Sequence, residues 1–367
     1  MSTKKHKFTL KDKFYMEIAL DLARARHGLT GSNPSVGCVI VKNDKIISIG
    51  QTSFNGRPHA ESNAIKNSFE DLKGSKMYVT LEPCCHHGLT PPCTDSIIKS
   101  KISEVIYSVT DIDKRVSNKS FKILNSNKIV VKKGLLKNKI ENFYHPYFIN
   151  RKKKLPYVTG KIAISKNNII YTNYQKKITN IYSDQFSHLL RYQNDGLMIT
   201  YKTLNKDNPR LNCRLKGLEN FSPKRIILDS KLNSKINSYI IKTAKNKKTL
   251  IFYNKADKSK ISKFKRNGII LIKCKVDRDN KFDMSKILKK LYNFGCRNLL
   301  IEGGNDLTNS LIKNKIFNKF YLFKSPKNLP KSSEYLKFSG LNTLNQKYQT
   351  KINLNLNLRK DRITLYR

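Results

Sequence analysis

The sequence contains no tryptophan, has few acidic residues and lacks any long apolar run. Of its 367 residues, 26 are acidic and 73 are lysine or arginine, which gives a formal net charge of +47. No apolar run approaches the roughly 18 residues that a membrane-spanning helix needs. We therefore expect a protein that does not cross a membrane.

The excess of positive charge raises the question of nucleic-acid binding. A surface that follows a phosphate backbone concentrates its lysines and arginines and interleaves them with aromatic residues. Here lysine is scattered along the whole chain among abundant asparagine and isoleucine, a pattern that AT-rich codon usage produces. We expect no nucleic-acid partner, while an anionic small-molecule substrate remains compatible with the charge. A nucleic-acid-binding or base-editing protein is the alternative.

Cysteine usage indicates a reducing compartment. There are seven cysteines, and an odd number without a secretory signal argues against a disulfide framework. The Met1–Phe14 stretch is basic and lacks the apolar core of a signal peptide. We expect a cytoplasmic protein.

One pair of motifs carries the chemistry. His59 is followed two residues later by Glu61, and Cys84 and Cys93 each follow a proline. One imidazole and two thiolates with an open fourth position are typical of a catalytic zinc site. The pattern is that of zinc deaminases, except that eight residues rather than two separate the cysteines.

The alternative is a closed structural zinc site, which would require a fourth ligand. Cys85, His86 and His87 are the adjacent candidates. We favour the open site, because Glu61 is then placed to move protons between the attacking water, a ring nitrogen and the departing amine. The amide of Asn33, in the turn before the first strand, is predicted to orient a pyrimidine edge; the alternative is that this segment is only a loop.

Periodicity predicts an α/β fold in two domains, since the chain is long for a single core. We predict a deaminase domain over residues 1–148, a charged linker over 149–156 and a second α/β domain over 157–367. The ligands lie where strands end and helices begin, as in other α/β sheets. The alternating apolar residues Ile352, Leu354, Leu356 and Leu358 predict a terminal antiparallel hairpin with Ile363–Tyr366.

The first half resembles the bifunctional pyrimidine deaminase–uracil reductase family of riboflavin biosynthesis. The resemblance is carried by Asn33–Gly37, His59–Glu61 and the long loop Glu82–Cys93. It implies a cytidine-deaminase-like three-layer domain. The implied substrate is 2,5-diamino-6-(5-phosphoribosylamino)pyrimidin-4(3H)-one, which is deaminated to 5-amino-6-(5-phosphoribosylamino)uracil.

The second half resembles the reductase of the same family, which is similar to dihydrofolate reductase and uses NADPH to convert the ribosyl to a ribityl side chain. By this resemblance, the cofactor-binding residues are Ala163, Thr203, Asp207, Ser230, Gly303 and Gly304, and the substrate-binding residues are Arg191, Leu211, Arg214 and Glu302. The resemblance also implies a homo-oligomer.

Two departures from the family bear on function. Leu89 occupies a loop position that is usually basic, which predicts a weaker grip on the substrate phosphate in the deaminase. In the second half, Ser165-Lys166-Asn167-Asn168 replaces the usual Ser-x-Asp-Gly. The alternative hypothesis is a deaminase with a degenerate, non-catalytic C-terminal domain that resembles the reductase.

Overall fold

The computed structural model describes residues 7–173, 177–331 and 333–367. These residues form two compact units, Met1–Lys153 and Lys154–Arg367. Each unit has its own apolar core and is described separately below.

Unit 1 alternates helices and strands along its whole length. Its elements are α1 (Leu10–Ala25), β1 (Gly37–Lys42), β2 (Lys45–Gln51), α2 (Ala60–Lys66), β3 (Lys76–Leu81), α3 (Cys93–Lys99), β4 (Glu104–Val109), α4 (Lys119–Ser126), β5 (Val130–Lys133) and α5 (Lys137–Lys153).

The strands described in unit 1 form a five-stranded sheet in the order β2-β1-β3-β4-β5. Strand β1 runs antiparallel to both β2 and β3, whereas β3, β4 and β5 are parallel. Helices pack on the sheet through a core that includes Met16, Leu20 and Ile97, all fully buried. The parallel half delivers the residues after β3 and β4 to one edge of the sheet, where α/β proteins usually bind ligands.

Glycines let two helices approach this sheet unusually closely. A Cβ atom at Gly37 would lie 1.8 Å from the carbonyl oxygen of Ala19 in α1. A Cβ atom at Gly50 would lie 2.2 Å from the carbonyl oxygen of Ala60 and 2.4 Å from the Ala64 nitrogen, both in α2. The sheet therefore accepts α2 at this distance only because strand β2 has no side chain there.

Unit 2 is a larger α/β layer. Its elements are β6 (Tyr157–Ile164), β7 (Ile169–Thr172), α6 (Ile181–Tyr192), β8 (Gly196–Thr200), α7 (Tyr201–Asp207), β9 (Lys224–Leu228), α8 (Tyr239–Lys242), β10 (Thr249–Tyr253), α9 (Lys258–Arg266), β11 (Ile270–Lys273), α10 (Met284–Asn293), β12 (Asn298–Ile301), α11 (Asn305–Lys313), β13 (Lys319–Lys324), β14 (Tyr335–Lys337), α12 (Leu341–Lys347), β15 (Lys351–Asn353) and β16 (Arg362–Tyr366).

The main sheet of unit 2 has, in the described residues, the order β11-β10-β9-β8-β12-β6-β13-β16-β15, and β7 pairs separately with β14. The run from β11 to β13 is parallel, and β16 is antiparallel to both β13 and β15. Apolar residues fill both faces: Met198 packs in one cluster while its neighbours Leu197 and Ile199 pack in the other. Strands that are buried on both faces have nearly continuous apolar sequences, and the strands of this sheet show that pattern.

Most of the predicted elements of unit 1 are present. The apolar runs Val36–Val41 and Ile46–Ile49 predict a hairpin, and the prolines before His59 and Cys93 precede predicted helices that begin after His59 and at Cys93. The structure has all three elements. The sequence analysis predicted no elements between β4 and the linker, where the structure has α4, β5 and α5. Helix α5 contains Pro146 and continues to Lys153, so much of the predicted linker over 149–156 is the end of a helix.

In unit 2 the sequence predicts strands at Tyr157–Ile164, Gly196–Thr200, Thr249–Tyr253 and Asn298–Ile301. The structure confirms all four with these bounds, as β6, β8, β10 and β12. The terminal hairpin is antiparallel as predicted, with Ile352 opposite Leu365. Its first strand is shorter than expected, because the pairing of β15 ends at Asn353. Leu356 is 43% exposed whereas Leu358 is buried, so the alternation does not define one buried face.

Among the described residues, no helix is long and apolar enough to span a membrane. All seven cysteines are free thiols, as the sequence analysis expected.

The close contact at Gly50 gives a first prediction. Gly50→Ala forces α2 away from β2, and overpacking of this kind lowers the free energy of unfolding by about 1–3 kcal/mol. Since α2 begins next to His59, zinc retention falls as well. The measurements are the urea midpoint and the zinc content of the full chain. Lys45→Ala, at an exposed position of the same strand, is the control, and an unchanged midpoint for Gly50→Ala would contradict the packing argument.

Candidate active site

His59 is held at the start of α2. It is the N-cap residue of that helix, with φ −73° and ψ 163°. The side chain of Asn63, one turn later, donates to the Gln51 carbonyl oxygen at 2.7 Å and to Ser53 Oγ at 2.9 Å. These bonds tie α2 to the segment after β2 and fix the direction of the imidazole.

The two cysteines come from the segment after β3. Cys84 lies three residues beyond that strand, and Cys93 is the first residue of α3. The Cys93 backbone N–H donates to Cys84 Sγ at 3.3 Å, and the Thr94 N–H donates to the Cys84 carbonyl oxygen at 3.2 Å. The long loop between the cysteines therefore returns to its starting point and brings both thiols together.

The three predicted ligands converge. His59 Nδ1 lies 3.4 Å from Cys84 Sγ and 3.4 Å from Cys93 Sγ, and the ligand atoms all lie within 4.8 Å of one another. Zinc bonds of about 2.3 Å to sulfur and 2.0–2.1 Å to nitrogen place the ligand atoms of a tetrahedral ion about 3.6 Å apart. The side chains present therefore fit a zinc ion without rearrangement.

Cys84 is poised to bind as a thiolate, whereas the hydrogen bond that Cys93 shares with Cys84 raises the pKa of the Cys93 thiol. Hydrogen bonding from Cys93, supported by His59, lowers the pKa of the Cys84 thiol to about 4. A thiolate is the form that binds a metal.

Glu61 lies in the first turn of α2 and is 3% exposed. Burial raises the pKa of its carboxyl to about 7. A carboxyl whose pKa lies near neutrality can both accept and donate a proton, which is the property required of a general acid–base residue.

The closed-site alternative lacks a fourth ligand in this geometry. Within the described residues, the converging group consists of His59, Cys84 and Cys93. Cys85 Sγ instead donates to the Arg115 carbonyl oxygen at 3.5 Å. His87 is exposed, and the buried His86 Nδ1 has no hydrogen-bond partner among the described residues.

Glu82, which precedes Cys84 by two residues, has a structural role that the sequence analysis did not assign. Its carboxylate accepts hydrogen bonds from the Asp111 N–H at 3.2 Å, the Asn118 N–H at 3.1 Å and Ser120 Oγ at 2.7 Å. Burial raises the pKa of Glu82, and these three donors oppose that shift. Glu82 thereby anchors the segment between β4 and α4 beside the metal ligands.

A cleft is lined by His59, Cys84 and Glu61. Asn33 lies in its wall, and its Nδ2 donates to the Gly56 carbonyl oxygen at 2.8 Å. The sequence analysis missed most of the polar residues that line it, because they come from segments distant in sequence. They are Thr52, Arg57, His86, Thr90, Asp111, Asp113, Arg115, Tyr147 and Arg151.

In unit 2, the predicted substrate residues Arg191 and Glu302 form a two-pronged ion pair. Arg191 Nε donates to Glu302 Oε1 at 2.9 Å, and Nη2 donates to Oε2 at 2.8 Å. Both side chains are about 15% exposed. Burial raises the pKa of Glu302, but the charge of Arg191 outweighs it and lowers that pKa to about 2. Two residues that were predicted as separate substrate contacts thus neutralise each other's charge.

Lys161 on β6 joins this pair, although the sequence analysis gave it no role. Burial lowers the pKa of its ammonium group, and the negative charge of Glu302 partly restores it. A lysine with a lowered pKa whose charge interacts with an ion pair is typical of a functional site.

A second cleft lies beside Arg191. It is lined by Arg191, Pro209, Arg210, Leu211 and Arg214. Leu211 is buried with a φ of +48°, while Arg210 and Arg214 are exposed on either side of it. The predicted residues Leu211 and Arg214 therefore share one cleft with Arg191.

The predicted cofactor residues lie at the carboxyl edge of the parallel sheet. Thr203 Oγ1 lies 4.0 Å from the position of a Cβ atom on Gly304, which caps α11. Ala163 is on β6, Asp207 ends α7 and Ser230 follows β9. The structure brings Thr203 and Gly304 together; the cofactor roles of all six residues stay predictions.

Two family models match the chain. The model described as the RibD C-terminal domain matches residues 156–361. The model described as the zinc-binding region of cytidine and deoxycytidylate deaminases matches residues 9–109. They correspond to the larger part of unit 2 and to the part of unit 1 that holds the three ligands.

Similar proteins cover almost all of the chain. The riboflavin biosynthesis protein RibD of Actinobacillus pleuropneumoniae is 36% identical, over 87% of this chain and 85% of the relative. RibD of Aquifex aeolicus is 34% identical, over 86% and 87%. The crystal structure of a diaminohydroxyphosphoribosylaminopyrimidine deaminase/5-amino-6-(5-phosphoribosylamino)uracil reductase from Thermotoga maritima is 27% identical and covers 97% of this chain and 98% of its own, with a TM-score of 0.81. The predicted fold class of both units is confirmed.

The converging ligands give a prediction that separates the open site from the closed one. Cys84→Ala removes a metal ligand, and purified protein should lose its zinc. Cys85→Ala is the matched control and should retain one zinc ion per chain, because Cys85 bonds to Arg115 instead. Elemental analysis measures both. Zinc loss in the Cys85 variant would establish the closed site.

Proposed function

The chain belongs to the RibD family of riboflavin biosynthesis proteins, and from that premise we propose how its residues perform the family's two reactions. The chain is a bifunctional enzyme that combines a zinc-dependent deaminase with an NADPH-dependent reductase. We assign the deaminase to residues 1–148 and the reductase to residues 157–367. The substrates are small phosphorylated pyrimidines.

The first reaction is hydrolytic. Water adds to the amino-bearing ring carbon of 2,5-diamino-6-(5-phosphoribosylamino)pyrimidin-4(3H)-one. The carbon–nitrogen bond then breaks, ammonia leaves, and the ring carbon keeps an oxo group. The product is 5-amino-6-(5-phosphoribosylamino)uracil.

His59, Cys84 and Cys93 are the residues that would hold the zinc ion. When bound, zinc lowers the pKa of a coordinated water and so supplies a nucleophile near neutral pH. Glu61 accepts one proton from the attacking water and delivers it to the ring nitrogen; it then takes the second proton from the added hydroxyl and delivers it to the departing amine. Because burial raises the pKa of Glu61 to about 7, the carboxyl group can both accept and donate a proton near neutral pH.

Asn33 positions the ring in this scheme. Its Nδ2 is committed to the Gly56 carbonyl oxygen at 2.8 Å. The amide oxygen is thereby turned to accept a hydrogen bond from a pyrimidine N–H.

The observation that carries the deaminase assignment is the convergence of one imidazole and two thiols beside a buried glutamate. A structural zinc site would need a fourth protein ligand and would have no use for a carboxyl with a pKa near 7.

The second reaction reduces the ribosyl group. NADPH, when bound, supplies a hydride to C1′, which opens the ribose ring to a ribityl chain. We propose that the backbone at Gly303 and Gly304, at the N-terminus of α11, contacts the cofactor phosphates, with Ala163, Thr203, Asp207 and Ser230 completing the cofactor site.

The substrate of the reductase contacts a second set of residues in this proposal. Arg214 meets the phosphate from the second cleft, with Leu211 beside it. The Arg191–Glu302 pair lies next to Lys161 and faces the ribose, where Glu302 can accept hydrogen bonds from hydroxyls. The free thiols are consistent with the cytoplasm, and we propose that the chain acts there as a homo-oligomer.

The function is tested by incubating the full chain with the diaminopyrimidine ribotide, with and without NADPH. We expect ammonia release in both cases and stoichiometric NADPH oxidation in the second. Ammonia release without NADPH oxidation would leave the C-terminal domain as a non-catalytic partner. Absence of both would contradict the proposal as a whole.

Glu61→Gln tests the proton transfer. The amide cannot accept the proton, so the rate of ammonia release should fall about a hundred- to ten-thousandfold, while the zinc content stays at that of the unmodified chain. Glu70→Gln, at an exposed site of the same unit, is the control. A Glu61→Gln enzyme that keeps a rate within a fewfold of the parent would contradict the assigned role.

Arg214→Ala tests the substrate site of the reductase. Removing one charge-assisted contact should raise the reductase KM about ten- to a hundredfold. The deaminase rate of the same polypeptide serves as an internal control and should not change. Assays of NADPH oxidation and of ammonia release measure the two reactions separately. An unaltered reductase KM would contradict the assignment of Arg214 to the substrate site.

A further inference from the structure

The cleft of unit 1 contains an arginine, Arg57, that can supply the positive charge missing at position 89, where the family usually has a basic residue. Leu89 is 90% exposed, so the loop offers no positive charge at that position. A phosphorylated substrate nevertheless needs a cation in the cleft that receives its ring. The cleft holds three arginines: Arg57, Arg115 and Arg151.

Arg57 is the arginine next to the ligand set. It precedes His59 by two residues and is partly buried. Its Nη1 donates to Thr90 Oγ1 at 2.6 Å and lies 3.5 Å from His59 Nε2. The guanidinium thus bridges the segment before α2 and the loop between the two cysteines, at the wall of the cleft.

The charge of Arg57 is not neutralised by the protein. Among the described residues, no ion pair involves Arg57, and its polar contacts are with a hydroxyl and an imidazole. Arg115 is committed to Asp113, with Nε donating at 3.0 Å and Nη2 at 2.7 Å. Arg151 lies over the ring of Tyr147, 5.4 Å from its centroid. The charge of Arg151 also interacts with the carboxyl groups of Asp111 and Asp113. Of the three, Arg57 is therefore the one without an acidic partner among the described residues.

Arg57 lines the cleft together with two residues of the loop between the cysteines, Gly88 and Thr90. A Cβ atom at Gly88 would be in contact with Arg57 Nη2, at 3.6 Å. Because position 88 is glycine, no side chain of that residue covers this side of the guanidinium. A guanidinium has five N–H donors in a planar fork, which matches two phosphate oxygens.

We propose that Arg57, together with the Thr90 hydroxyl, binds the 5′-phosphate of the deaminase substrate on the side of the guanidinium that Gly88 leaves uncovered. Arg57 thus supplies from the segment before His59 the positive charge that position 89 lacks. This inference rests on the proposed function, which gives the substrate its phosphate. It makes Arg57 a residue that determines specificity for the ribotide over the corresponding riboside.

The test compares two substrates, the diaminopyrimidine ribotide and its dephosphorylated riboside, by ammonia release from the full chain. The ratio of their kcat/KM values reports the contribution of the phosphate. Arg57→Ala should lower this ratio about ten- to a hundredfold, with the riboside kcat/KM within about twofold of the parent and zinc content unchanged. Arg57→Lys keeps the charge but not the fork and should lower the ratio less.

Two further variants complete the test. Leu89→Lys in the Arg57→Ala background should restore part of the ratio, because it returns a cation to the same cleft. Arg24→Ala is the matched control, since Arg24 is exposed and paired with Asp21 outside the cleft. If Arg57→Ala disturbs zinc binding through His59, the ratio is read from Arg57→Gln, which keeps a donor for Thr90 without the charge.

An unchanged ratio, or an equal loss on both substrates, would overturn the assignment of Arg57. Ammonia release from neither substrate by the unmodified chain would instead contradict the proposed function. The two failures are therefore distinguishable.

Discussion

The structure of unit 1 depends on bringing one nitrogen and two sulfur atoms to within bonding distance of a single ion. His59 Nδ1 lies 3.4 Å from each thiol, although the imidazole comes from the start of α2 and the thiols from either end of a loop. Gly50 allows α2 to reach the sheet, and Glu82 anchors the neighbouring segment through three donated hydrogen bonds. The metal geometry is therefore a consequence of how the whole unit packs.

The same packing explains how much could be predicted from the sequence. The metal ligands could be predicted because a metal site restricts residue type and spacing. The helices that begin at His59 and Cys93 could be predicted from the prolines that precede these residues. Helix α5 was not predicted, because Pro146 argues against a helix interior and tertiary contacts outweigh that local preference. Arg57 was missed because its proximity to Thr90 depends on the path of a loop 33 residues away.

In unit 2 the strands were predicted well and the site less so. Strands buried on both faces have a strong apolar signal, whereas β13 and the pairing of β7 with β14 were not predicted because their partners are remote in sequence. The sequence also gave no sign that Arg191 and Glu302 would bind each other. Buried opposite charges pair because leaving either alone costs several kcal/mol, so the two side chains act as one unit in the proposed reductase site.

The central claim is that three protein ligands hold the metal and leave one position for water. X-ray absorption at the zinc edge of the purified full chain measures this directly, because sulfur and nitrogen or oxygen ligands differ in distance. The account predicts two sulfur ligands at about 2.3 Å and two lighter ligands at about 2.0–2.1 Å, one of which exchanges when an inhibitor with a competing oxygen or nitrogen is added. A shell with three sulfur ligands, or a shell that does not change on inhibitor binding, would contradict it.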